Sequence, residues 1–312
     1  MSRRKFGAII PALFLCLTGC ASIPDSARQL PANGAQIELG STPFYPQERY
    51  QCGPAALTTV LDASGADVAI DDIVSKVYLP ERKGSLQLEL LAATRTSGRV
   101  PYIIDPSIES ILSELEAGRP VLVLQNLGVA AIPRWHYAVV IGIDTQHEHV
   151  ILRSGTDRRR ETPINLFLRT WSRGEFWGFV ALRPGELPAM ADRDRYFDAV
   201  VGMEQAGRPA DAAAAWKAAL NQWPDSTTPL FGLGNSQLAL GDNEGATRSF
   251  EDLIDADPSL IVARNNLAMA LAREEQFDAA LEEIDYALRL NDDDTLRGIL
   301  QGTRTEILSM AR

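Results

Sequence analysis

The chain reads Tyr50-Gln51-Cys52-Gly53-Pro54-Ala55-Ala56-Leu57 across its most informative turn. Apolar side chains at 56, 57, 60 and 61 follow at helical spacing and end at Ser64-Gly65, a C-cap pair. Pro54 suits a first helical turn, where its missing N–H would have no partner anyway. Cys52 therefore falls at or just before a helix N-terminus. There the positive end of the helix dipole is expected to stabilise a thiolate and lower the thiol pKa. A cysteine that only fills space would be expected inside the apolar face instead.

A thiolate nucleophile needs a base, and the chain holds only His136, His147 and His149. Trp135-His136-Tyr137-Ala138-Val139-Val140-Ile141-Gly142-Ile143 reads as a strand, rich in β-branched and aromatic residues. Asp144 to Glu148 reads as a turn, and Val150-Ile151-Leu152 opens the return strand. His147 and His149 flank that turn and are expected on the surface. His136 heads a buried strand, where an imidazole needs a polar partner. It is the candidate base for Cys52.

Towards the N-terminus, Arg3, Arg4 and Lys5 precede an apolar run from Phe6 to Leu17, and Leu17-Thr18-Gly19-Cys20 follows. The run is shorter than the roughly 20 residues of a spanning helix. Its end resembles the bacterial lipobox rather than a simple secretory cleavage site. The resemblance implies a signal peptide over 1–19 and an acylated Cys20 that holds the protein on a lipid membrane. Ala21 stands where an inner-membrane retention signal would resemble Asp. For a Gram-negative source, the expected location is the outer membrane, facing the periplasm. Residues 20–41, rich in Pro, Ala, Gly and Ser, are expected to be a tether that lifts the next domain off the membrane.

Removal of 1–19 leaves 41 acidic against 27 basic residues, a net charge near −14. That argues against nucleic acid or anionic lipid as a partner of the chain as a whole. Of the three cysteines, Cys52 is then the one free thiol, so no disulfide framework is expected. No metal-ligand cluster or phosphate-binding loop is visible, and no cofactor is implied.

Towards the C-terminus, Arg183-Pro184-Gly185-Glu186-Leu187-Pro188 opens a breaker-rich linker over 183–192. Beyond it the chain repeats with a period of 34 residues. Ala212, Ala246 and Ala280 keep that spacing, as do Trp216, Phe250 and Ile284. Pro224 and Pro258 end the first two units, and Asp292 ends the third. Alanine at one position and a bulky residue four later fit two closely approaching antiparallel helices. The pattern resembles the tetratricopeptide repeat, with units at 193–226, 227–260 and 261–294 and a solvating cap helix completing the 193–312 domain. Asn235, Asn265 and Asn266 are candidates for a groove that binds a protein partner.

Residues 42–182 resemble papain-like cysteine peptidases, and more closely the C39 peptidase family. The features that carry this are Gln-Cys-Gly-Pro-Ala-Ala-Leu, Gly84-Ser85-Leu86 to Leu90-Leu91, Gly118-Arg119-Pro120-Val121-Leu122-Val123, and Trp135-His136-Tyr137-Ala138-Val139-Val140. A C39-like domain with tetratricopeptide repeats in one lipoprotein resembles a small group of proteobacterial proteins. The implied fold is an α+β papain-like domain followed by an all-α repeat domain. The implied roles are Cys52 as nucleophile, His136 as general base and a glutamine as oxyanion-hole donor. Gln47 is the first match for that glutamine, one residue closer to Cys52 than in typical members, and Gln51 is the second. The family places an aspartate on the strand after the histidine, and Ser154 stands there instead, with Asp157 three residues on. The implied function is hydrolysis of a peptide or protein substrate. A scaffold with weakened catalysis and a thiol acyltransferase are the alternatives.

Overall fold

Two apolar segments without polar alternation, 121–124 and 137–140, lie side by side in a sheet with both faces covered. The computed structural model describes residues 23–29, 34, 36–46 and 51–312. The strands are β1 (Gln36–Glu38), β2 (Val100–Ile103), β3 (Val121–Asn126), β4 (Trp135–Asp144), β5 (His149–Ser154), β6 (Asp157–Pro163) and β7 (Gly178–Leu182). Their order is β2-β7-β3-β4-β5-β6, antiparallel throughout, and β1 pairs with the last residues of β4.

One face is covered by α2 (Cys52–Ala63), α3 (Ile70–Val77) and α4 (Gln87–Thr96). Leu57, Leu61, Ile73 and Leu90 pack there with Leu122, Leu124, Tyr137 and Val139. The other face carries α5 (Ile108–Glu116) and α6 (Ile164–Ser172), and Ile111, Phe167 and Trp171 join Tyr102, Val123 and Ala138. Ser107 caps α5 through Ser110 N–H at 3.0 Å, a bond that fixes where the helix begins.

The helical region follows as pairs: α7 (Arg193–Gln205) with α8 (Pro209–Gln222), α9 (Thr228–Leu240) with α10 (Asn243–Ala256), and α11 (Ile261–Arg273) with α12 (Phe277–Leu290). A last helix, α13 (Asp294–Met310), lies against α11 and α12. Ala212, Ala246 and Ala280 are fully buried, as the close approach of paired helices requires. Asp192, Asp242 and Asp293 cap α7, α10 and α13 with side-chain bonds to backbone N–H groups. The later pairs build a core of their own around Phe250, Leu267, Ile284 and Leu300. The first pair does not. Tyr196, Phe197 and Trp216 belong to the same apolar cluster as Tyr102 and Ile111 on the sheet.

The stretches expected as tether and linker both make contacts with the first domain. The stretch expected as a tether is partly built into the first domain. Ile23 and Ala27, the latter in α1 (Asp25–Arg28), are buried in the second core. β1 covers Gly142–Asp144, the part of β4 that β3 leaves without a partner. An open strand edge is what such a segment can pair with, and composition does not reveal it. The expected linker is pinned as well. Tyr102 Oη donates to Met190 O at 3.1 Å and accepts from Asp192 N–H at 3.0 Å. Ala189 N–H donates to Glu114 Oε1 at 2.7 Å, and Arg119 holds the other oxygen of that buried carboxylate.

Candidate active site

Cys52 is the first residue of α2, and Gln51 before it makes no side-chain capping bond. The helix is apolar on nearly every side. Its buried Thr58 and Thr59 hydroxyls return to Pro54 O and Ala55 O at 2.9 and 2.8 Å, so they cost the core little. Gly53 is required by what lies over it. A Cβ there would stand 2.5 Å from Ser85 Oγ, so Ser85 roofs the helix start. Tyr137 Oη holds that roof by donating to Ser85 O at 3.2 Å.

Burial pushes the Cys52 thiol above its ordinary pKa, although the N–H groups of Tyr137, Gly53 and Cys52 itself oppose the shift. The expected low-pKa thiolate is thus corrected. The sulfur sits against the Leu57 core, and desolvation outweighs the helix start.

His136 opens β4 opposite Gln125 of β3. Burial, then the charges of Arg160 and Arg134, lower its pKa to about 4. At neutral pH the ring is uncharged. His136 Nε2 lies 2.8 Å from Ser154 Oγ, and Ser154 is 4 % exposed at the end of β5. Asp157 stands opposite Ser154 in the β5–β6 hairpin, exposed, with its carboxylate 3.9 Å from Arg160. The residue that meets the imidazole is the serine.

Cys52 and His136 line one cleft of about 1060 Å³ with Ser85, Leu86, Leu124, Trp135, Tyr137 and Glu175. Arg82, Lys83 and Arg134 also line it. Of the other sequence candidates, Gln47 and Cys20 lie outside the described residues. His147 is on the exposed turn, bonded to Asp144 at 2.8 Å. Sequence reading missed Arg134 and Arg160. Arg134 adjoins Trp135-His136 and was visible, whereas Arg160 comes near only through the β5–β6 register.

A thiol and an imidazole thus face one cleft, the pair of group types that nucleophile-and-base chemistry uses.

The family models agree with this architecture. Residues 40–175 match the Peptidase_C39 like family, and 204–261 and 231–295 match the tetratricopeptide repeat. No curated protein matches the chain. Similar solved structures include a protein described as a C39-like peptidase from Bacillus anthracis, 16 % identical, covering 48 % of this chain and 98 % of its own, with a TM-score of 0.40. A double glycine motif protease from an AMS/PCAT transporter is 18 % identical, covering 47 % and 97 %, with a TM-score of 0.35. The Yersinia enterocolitica translocator chaperone SycD is 16 % identical, covering 38 % and 88 %, with a TM-score of 0.36. By the family models, a C39-like match over residues 40–175 is thus followed by tetratricopeptide-repeat matches over 204–295.

Proposed function

We propose that this protein is a cysteine peptidase, held on a membrane by acylated Cys20, that hydrolyses peptide bonds of exported peptides or proteins. The repeats hold the substrate or a partner protein. A bacterial outer membrane, with the protein facing the periplasm, is the proposed location. The observation that carries the reading is the shared cleft: Cys52 at the start of α2, and His136 on β4 with its Nε2 engaged by Ser154.

With Nε2–H donating to Ser154, Nδ1 is left to accept the thiol proton. Sγ attacks the scissile carbonyl as that proton moves, and the oxyanion is met by the Cys52 backbone N–H and by Gln47. The intermediate collapses to a thioester as the amine leaves with the proton from His136. Water then attacks the thioester with His136 again as base. An amine in place of water would make the same site an acyltransferase.

The electrostatics favour a second reading. A pKa near 4 makes the imidazolium about 3 kcal/mol harder to form than on a free histidine, and Ser154 offers no charge against it. A scaffold that keeps the fold and has lost turnover would look like this. Incubation of the mature chain with a peptide library, beside Cys52→Ala, separates the two. Cleavage lost in the variant is the expected result, and no cleavage by either protein would establish the scaffold.

A further inference from the structure

The connection between β3 and β4 is not used by the chemistry above. From Leu127 to Trp135 it reads Leu-Gly-Val-Ala-Ala-Ile-Pro-Arg-Trp, without an acidic side chain. Leu127 is 41 % exposed, Val129 58 %, Ile132 71 % and Trp135 56 %. The segment is nonetheless built. Buried Asn126 accepts from Gly128 N–H and Arg134 N–H, both at 2.9 Å, and Leu127 N–H donates to Arg134 O. Val129 and Ile132 bridge across the tip, and a Cβ at Gly128 would run into the Ile132 carbonyl. A hydrogen-bonded stem thus holds four apolar side chains away from the core.

Contiguous exposed apolar surface of this kind marks a contact site. The cleft wall includes Arg134 and Trp135 but none of 127–133. The base of the hairpin carries Arg134 and Trp135, on a cleft that three basic side chains, Arg82, Lys83 and Arg134, line against one acid, Glu175, in a chain whose net charge is −11. An aliphatic tip, a tryptophan behind it and a basic collar complement the hydrocarbon, interface and phosphate layers of a bilayer in that order.

We propose that the 127–135 hairpin inserts into a phospholipid surface and seats the mouth of the Cys52 cleft at the membrane. The cleft then addresses segments that emerge from a bilayer or lie on it. The test uses the mature chain with Cys20→Ser, so that no acyl chain contributes. Vesicles of phosphatidylcholine with one quarter phosphatidylglycerol should sediment this protein and shift tryptophan emission to the blue. Val129→Asp with Ile132→Asp should lower partitioning about tenfold or more, as expected when two inserted aliphatic side chains become charged. Unchanged circular dichroism and melting would show that these exposed positions leave the fold intact. No sedimentation of the parent protein overturns the proposal, and so does equal sedimentation of the variant. A variant that keeps vesicle binding but binds peptides more weakly would assign the hairpin to the substrate and also overturn it.

Discussion

The face of the sheet under α2 and the face under α5 are built from alternate residues of the same strands, yet they do different work. Leu122, Leu124, Tyr137 and Val139 look towards α2, where desolvation sets the protonation of Cys52. Val121, Val123 and Ala138 look the other way, into a core that continues to Tyr196, Trp216 and Leu233 of the repeats. The first face is closed around a reactive group. The second is shared between domains. The first repeat is therefore part of the first domain's foundation, and the later repeats add a second core around Phe250 while Leu233 of α9 still joins the first.

The largest expected effect tests that sharing. Trp216 is 1 % exposed, with its ring 5.6 Å from Phe197, and Trp216→Ala should cost about 3–5 kcal/mol. Because its cluster includes Tyr102 and Ile111, the loss should reach the peptidase domain and speed alkylation of Cys52 under mild denaturant. Phe250→Ala, in the separate core, should destabilise the later repeats and leave that alkylation unchanged. Equal protection of Cys52 in both variants would break the comparison.

An effect of about 3 kcal/mol belongs to the other face. His136 titrates at about 4 in the fold and near 6.5 when unfolded, so between those values the unfolded chain binds the extra proton. Stability from this group is complete above pH 6.5 and is lost as pH falls to 4. His136→Gln keeps a polar side chain but does not titrate, so the difference in unfolding free energy between wild type and variant should shrink or reverse across that window. Denaturant unfolding at pH 7 and pH 4.5 measures it, and parallel curves would mean the imidazole is not desolvated.

These contrasts were unequally legible in the sequence. The 34-residue period and the helix start at Cys52 are local patterns, and both are visible in single stretches of chain. The burial of Ile23 and the pairing of β1 with Gly142–Asp144 were not, because Pro, Ala, Gly and Ser over 20–41 say nothing of an open strand edge more than a hundred residues later. The fastening of 189–192 depends on Tyr102 and Glu114, also far away in sequence. At the site, Cys52 and His136 announce themselves by position. The sign of their pKa shifts does not, since a helix start and a buried pocket push a thiol in opposite directions and only packing decides between them.

The smallest effect concerns Ser154, the point where the site face is weakest in charge. Ser154→Ala removes one neutral hydrogen bond to His136 Nε2, which is worth about 1 kcal/mol, or roughly a fivefold slower reaction of Cys52. Ser154→Asp puts a carboxylate against the ring, opposing Arg160 and Arg134, and should raise the His136 pKa from about 4 towards its ordinary value. The imidazolium then becomes accessible at the pH where the thiol gives up its proton. Alkylation of Cys52 measured from pH 6 to 8 should slow in the first variant and quicken in the second. This readout needs no substrate, so it reports on the pairing even if peptide cleavage is absent. Identical profiles for wild type, Ser154→Ala and Ser154→Asp would show that His136 does not act on Cys52, and would leave the cleft without a base.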